Sequence, residues 1–418
     1  MGQARLTQTN YQKEWPTWLQ NITPKVIVAD DGVYEPILIK MHEEGAEQQL
    51  KKVVQKQPIA RVFDNYDEQL AELYVSNNAQ LFKANLDVKR SSIADYLVEH
   101  YGKTPAWKKG SWVYYPWDGS LLHVLEEELF WRLRTLRNQI LLTDEEQAAF
   151  RKIKIGCVGM SVGSNGVAAI ALTSGSQQLK LADGAVFSGS NLNRVRTPVR
   201  NIGLNKCVVM AREIYEMNPY MQIEATTHNI EEKNIAKFFD KPWKLDLIVD
   251  EIDDLETKVR LRVEAKKRRI PVIMVTEPGN QAMLDVERYD VDPDLELFNG
   301  LAPGVEQLLI KKDLTMREKL KFIAKIIGVK NLPLRDQQAM LKVGSTIPSA
   351  PQLGSTAMVA GGIIGFAARE LAANPENLKS GRHIISIEKE FTLKANTLAH
   401  KLEHRRHSRS INRAMRSM

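Results

Sequence analysis

One stretch limits the fold of this chain more than any other. From Ile153 to Val275, short apolar runs alternate with longer segments of helical pattern, and a glycine turn directly follows the first run. The runs are IKIGCV at 153–158, LKLAD ending at Asp183, a strand near Gln222–Thr227, LDLIVD at 245–250 and IPVIMV at 270–275. Between them the spacing predicts helices after Gly163, near Asn205–Met217 and over a charged segment, Asp254–Arg268. Strands separated by helices at this interval need right-handed crossovers, so the expected fold is α/β: a Rossmann-like, open, mainly parallel sheet.

The rest of the chain is less regular. Residues 1–120 mix short apolar runs such as KVIVADDGVYEPILIK with turn signals, and helical spacing around 67–82 puts Leu70, Leu73 and Tyr74 on one face. This predicts an N-terminal α+β region. Trp107, Trp112, Tyr114, Tyr115 and Trp117 form an aromatic cluster that packing between domains would explain. Residues 121–285 read as the sheet domain led by a helix over Leu121–Leu142, and 286–400 as a partly helical substrate or interface region. That region is expected to open with an acidic loop over 285–300, followed by a helix over Thr315–Ile327 and another after Gly354. From 401 to 418, six basic residues stand against Glu403 alone, which reads as a solvated, frayed tail.

Composition narrows the function classes. The N-terminus lacks an apolar signal core and no run of eighteen apolar residues occurs, so neither export nor a membrane partner is expected, and the cytoplasm is the expected compartment. The two cysteines, Cys157 and Cys207, form neither a disulfide framework nor a CxxC pair; both read as packed small hydrophobes, and no structural zinc is expected. A net charge of +7 over 418 residues is modest, and without interleaved aromatics nucleic acid is not an expected partner.

The turn GMSVGS places Gly159 and Gly163 between a strand and a helix, where backbone N–H groups can approach a phosphate. Such a turn also serves simple helix–strand packing. Asp183, at the end of the second strand, can accept both hydroxyls of a ribose. An NAD site would look the same to this point.

The segments beyond Asp183 are more distinctive: Ser190-Asn191-Leu192-Asn193-Arg194, then Gly203 to Lys206, Asn218-Pro219 and Asp253, with Arg134-Thr135-Leu136-Arg137-Asn138-Gln139 upstream. In these residues the chain resembles the ThiF/MoeB/E1-like adenylyltransferases. The resemblance implies an ATP- and Mg²⁺-dependent enzyme that activates a carboxylate, on a small molecule or a protein C-terminus, as an acyl-adenylate. It assigns ATP ribose to Asp183, the triphosphate to Asn191, Arg194 and Lys206, and Mg²⁺ or the reacting phosphate to Asp253. It also makes Arg137 an arginine supplied to the partner's site, which implies a homodimer. Departures exist: Met160 and Ser161 stand where glycines are common, Ala185 replaces a second aspartate, and no cysteine follows Asp253 to carry a thioester. Two other readings use the same sheet: an NAD(P)- or flavin-linked oxidoreductase, and a degenerate nucleotide-binding interaction protein.

Overall fold

The computed structural model describes residues 15–21, 32–310 and 315–417. The first fourteen residues, the whole of the KVIVAD run and the side chain of Arg416 lie outside the described residues. The chain divides into two compact units, one of residues 1–143 with 211–221, the other of 144–210 with 222–418.

The first unit is built on a four-stranded sheet, β1 (Ile37–Lys40), β2 (Arg61–Asp64), β3 (Ser111–Tyr115) and β4 (Ser120–Val124), in the order β1-β3-β4-β2. Its helices are α1 (Ala46–Lys56), α2 (Tyr66–Asn77), α3 (Leu86–Tyr101) and α4 (Glu127–Thr135). Leu70 and Leu73 are buried on α2, as their spacing predicts. The helix expected over 121–142 is replaced at its start by β4. There Leu121 and Leu122 pair with Tyr114 and Val113 of β3, and a short apolar run does not distinguish a buried strand from a helix. The aromatic cluster packs inside this unit: Trp112 stacks on His123 at 4.5 Å, and Trp107 meets Trp18 edge-on at 5.7 Å.

The second unit holds a seven-stranded sheet of β5 (Lys154–Val158), β6 (Gln178–Ala182), β7 (Gln222–Thr226), β8 (Leu247–Asp250), β9 (Val272–Thr276), β10 (Gln281–Glu287) and β11 (Gly381–Ser386). The order is β11-β10-β9-β8-β5-β6-β7; β5 through β9 are parallel, and β10 and β11 add an antiparallel edge. The expected open, mainly parallel α/β sheet is therefore present. The expected acidic loop is not loop at its start. Gln281–Glu287 is a fully buried strand, because Asp285 pairs with Arg382 of β11 at 2.7 Å and Glu287 pairs with Arg262 at 2.6 Å.

Helices α5 (Asp144–Lys152), α6 (Val162–Leu172), α7 (Lys206–Met217), α8 (Glu232–Asp240) and α9 (Leu255–Arg268) follow the sheet rhythm. Asp254 caps α9, its carboxylate accepting from the Thr257 amide at 2.8 Å. Later come α10 (Met316–Ile327), α11 (Leu334–Met340), α12 (Gly354–Ala373) and α13 (Leu398–Ser417). Among the described residues α12 alone is long and apolar enough to cross a membrane, and half of it is buried within the fold. It lies along α6, where a Cβ on Gly361 would sit 2.6 Å from Asn165 Cβ, so the two helices approach at backbone distance.

The basic tail differs from its reading as frayed chain. It is a helix whose inner face seats Ile411 and Ser408, and Gln337 of α11 donates to Ser408 Oγ at 2.8 Å. His404 bonds the Leu332 carbonyl at 2.8 Å.

Candidate nucleotide site

The chain runs outward from β5 in both directions, to β6 and β7 on one side and to β8 and β9 on the other. Open α/β sheets place ligands at such a switch point, outside the C-terminal strand ends. A cavity of about 890 Å³ lies there, lined by Val158, Ala182, Asp250 and Thr276 at the ends of β5, β6, β8 and β9. Its size is that of a nucleotide-sized site.

The glycine turn is fixed by its surroundings. Gly159 has φ +95°, and a Cβ there would stand 2.3 Å from the Glu251 carbonyl oxygen. Asp183 accepts the Met160 amide on one carboxylate oxygen and the Ala185 amide on the other, each at 2.8 Å, tying the turn to the end of β6. Lys206 opens α7 and is nearly buried. Its Nζ donates to Ser161 Oγ at 3.1 Å and stands 3.7 Å from Asp183.

Arg194 follows a 3-10 turn, Gly189–Asn193, in which Asn191 accepts the Ser188 amide at 3.0 Å. The guanidinium donates to the Ser190 carbonyl and to Asn193 Oδ1, while its Nε is buried with no partner. The Arg194 carbonyl is held by Asn165 of α6 at 3.1 Å, and Asn193 donates to the Gln352 carbonyl at 2.9 Å.

Of the residues singled out in the sequence, Gly159, Asp183, Arg194, Lys206 and Asp253 line this cavity together. Gly163 lies behind it in α6, where an added Cβ would come 3.0 Å from Cys157 Sγ, and its service is close packing of helix on strand. Asn191 shapes the turn that carries Arg194 and is not in the lining. Arg137 belongs to the first unit, where it is exposed. Cys157 and Cys207 are both buried, and burial pushes both thiols up, away from the reactive thiolate.

Further residues complete the site. Ser161, where the family commonly has glycine, positions Lys206. Glu251, partly accessible but with an inward carboxyl, accepts the Val275 amide at 2.7 Å; burial and the nearby Glu277 push it well above the usual carboxylate range. Glu277 is raised by its own burial against the Gln352 amide, which donates to it at 2.6 Å. The signal for Glu277 is its place just past β9, the same position logic that marks Asp183.

Beneath the site lies a buried ion network. Arg262 of α9 is fully enclosed, reaching Asp250 at 2.5 Å and Glu287 at 2.6 Å, with the Phe298 ring 3.8 Å below. Lys258 bonds Asp250 at 3.2 Å. Burial opposes ionisation of Asp250, but Lys258 and Arg262 hold it below its usual range. Asp250 in turn accepts the Ile252 amide at 3.3 Å, shaping the loop that presents Asp253.

Among the described residues no three His, Cys, Asp or Glu side chains gather to hold a metal.

A family model described as the ThiF family matches residues 134–383. A Mycobacterium tuberculosis protein described as uncharacterized is 34% identical over 276 residues, covering 66% of this chain and 38% of that protein. The tRNA threonylcarbamoyladenosine dehydratase of Escherichia coli is 27% identical over 193 residues, 46% of this chain and 66% of the enzyme. The chain thus spans little more than a third of the mycobacterial protein's length. Among solved structures, PaaA is similar with a TM-score of 0.44 at 17% identity, over 62% of this chain and 79% of that one. The E. coli dehydratase solved with AMP has a TM-score of 0.43 at 19% identity, over 59% and 96%. The family match covers more than half of the sequence, and the chain belongs to the ThiF family.

Proposed function

We propose that this chain is an ATP- and Mg²⁺-dependent adenylyltransferase that activates a carboxylate, on a small molecule or a protein C-terminus, as an acyl-adenylate. One observation carries the reading: Arg194, Lys206 and Asp253 converge on one cavity at the strand ends. An NAD site needs no such set of cations facing a carboxylate.

Bound ATP would supply an electrophilic α-phosphorus, and Mg²⁺ would neutralise phosphate charge. The attacking carboxylate is ionised near neutral pH, so no general base is required. Its oxygen bonds to the α-phosphorus as the bond to the bridging oxygen breaks, and the electron pair leaves with pyrophosphate. Arg194 and Lys206 hold phosphate oxygens and stabilise the charge that develops on the leaving group. Asp253 offers the hard oxygen that Mg²⁺ favours. Asp183 keeps the glycine turn in place and faces the ribose. A dehydration driven by ATP would begin with the same step, since the oxygen removed departs on AMP; the relatives named dehydratases are compatible with this site.

In this reading Arg137 serves the partner's site in a homodimer. The test is equilibrium titration of the full chain with ATP and with NAD in Mg²⁺ buffer, followed by pyrophosphate–ATP exchange with a panel of carboxylates. ATP binding that Arg194→Ala removes is the expected outcome. Binding of NAD without ATP would overturn the reading.

A further inference from the structure

We infer that the groove between α10 and α13 is a binding surface for nucleic acid, held by its phosphodiester backbone without reading its bases. The inference is independent of the proposed adenylation. The groove has a volume of about 680 Å³, and its lining includes Lys321, Lys325 and Lys330 together with Asn412 of α13. All three lysines are exposed, and among the described residues none forms an ion pair. Glu318, also in the lining, is engaged in the N-terminal box of α10, where it accepts from the Thr315 amide and hydroxyl at 2.8 Å each.

The sequence alone suggests a loose tail, and its order as a helix changes what its charge can do. With Ile411 and Ser408 turned inward, the orientation of α13 is fixed, and Asn412 marks the edge facing the groove. Lys401, Arg405 and Arg409 precede Asn412 by eleven, seven and three residues, the spacing of a single helical edge. All three are exposed and unpaired among the described residues. Successive cations on that edge rise about 6 Å per four residues, close to the separation of phosphates along an extended strand. Asn412 is the residue of α13 in the groove lining, and the three cations extend its helical edge away from the three lysines there. Cations that continue from the groove along one helical edge at a regular rise suit a repeating line of single charges better than the irregular carboxylates of an acidic peptide. The half-buried Phe322 is the one aromatic in the lining, so stacking contributes little and binding should be indifferent to base sequence.

The experiment is fluorescence anisotropy of the full chain with fluorescein-labelled oligouridylate, oligothymidylate and polyglutamate over a series of KCl concentrations. Each neutralised phosphate of a single strand contributes a slope of about −0.7 in log K against log salt, so six contacts set a limit near −4. Similar binding of the RNA and DNA strands, with weak binding of polyglutamate, is expected. The combined variant Lys321→Ala, Lys330→Ala, Arg405→Ala should reduce the slope by about 2 and keep its melting temperature, whereas Lys321→Arg, Lys330→Arg, Arg405→Lys should bind as the wild type does. Failure of the wild type to bind either oligonucleotide, polyglutamate binding as tight as theirs, or an unchanged slope in the folded alanine variant would each overturn the inference.

Discussion

The ammonium of Lys206 stands 3.7 Å from the carboxylate of Asp183, so the first residue of α7 is electrostatically linked to the end of β6. Asp183 already holds two backbone amides of the neighbouring turns. A ligand phosphate would thus meet a lysine whose position is set before binding. Lys206→Ala should lower pyrophosphate exchange by about a hundredfold, the effect of losing one aligned donor. Circular dichroism and a thermal melt would separate this from unfolding.

Arg194→Ala is expected to cost a comparable factor in exchange, because its side chain is anchored by local acceptors and faces the cavity. Mixing supplies a sharper test of the dimer. If Arg137 acts across subunits, homodimers of Arg137→Ala and of Arg194→Ala are each inactive, yet mixing them creates one intact site per heterodimer. Activity should return to about a quarter of the wild-type level at random exchange. No recovery after verified subunit exchange would remove the role given to Arg137.

Asp253 is exposed and lies on a loop, so Asp253→Asn should leave the melting temperature unchanged. Turnover should fall more than ATP affinity does, with a rise in the Mg²⁺ concentration needed for half-maximal exchange. Equal losses in turnover and in binding of ATP without Mg²⁺ would assign it a different role.

Arg262 predicts the opposite phenotype. Its removal leaves Asp250 and Glu287 buried without their shared cation, a situation that costs about 3–5 kcal/mol. Chemical denaturation of Arg262→Ala should show that loss in midpoint. The residual folded protein should also bind nucleotide poorly, because Asp250 shapes the loop ahead of Asp253.

Lys180 gives a pH signature. It is almost wholly enclosed as a residue and donates to the carbonyls of Phe238 and Trp243, and burial pushes it down to about 8. Between that value and the ordinary lysine range the unfolded chain binds more protons than the folded one, so stability rises with pH there. The contribution is complete above the unfolded value and is lost as pH falls through about 8. Melting curves of Lys180→Met across this window should lack that slope relative to wild type.

Much of the fold and site is legible in the sequence because strand, turn and helix repeat at short intervals from Ile153 to Val275, and strand ends mark where ligands sit. Asp183, Arg194, Lys206 and Asp253 fall in one cavity because each follows such an end or the turn beside it. Gly163 and Asn191 illustrate the limit: spacing places a residue near a turn but does not say which way its atoms face. β10 is hidden by its charges, since Asp285 and Glu287 resemble loop residues until Arg382 and Arg262 are brought against them from distant positions in the chain. β4 is hidden for a different reason, because only Leu125 and three glutamates separate its apolar residues from those of a true helix, and the whole stretch carries helical spacing.

The hydropathy of α12 has a consequence for anyone shortening this chain. Its small residues fit the surface of α6, and just ahead of its first turn Gln352 holds both Asn193 and Glu277. A fragment ending near residue 350 would keep every residue expected to touch nucleotide, yet it would bare the outer face of α6 to water and release the loop carrying Arg194. The segment that most resembles a membrane anchor is therefore part of what holds the site together, and a shortened chain should include it.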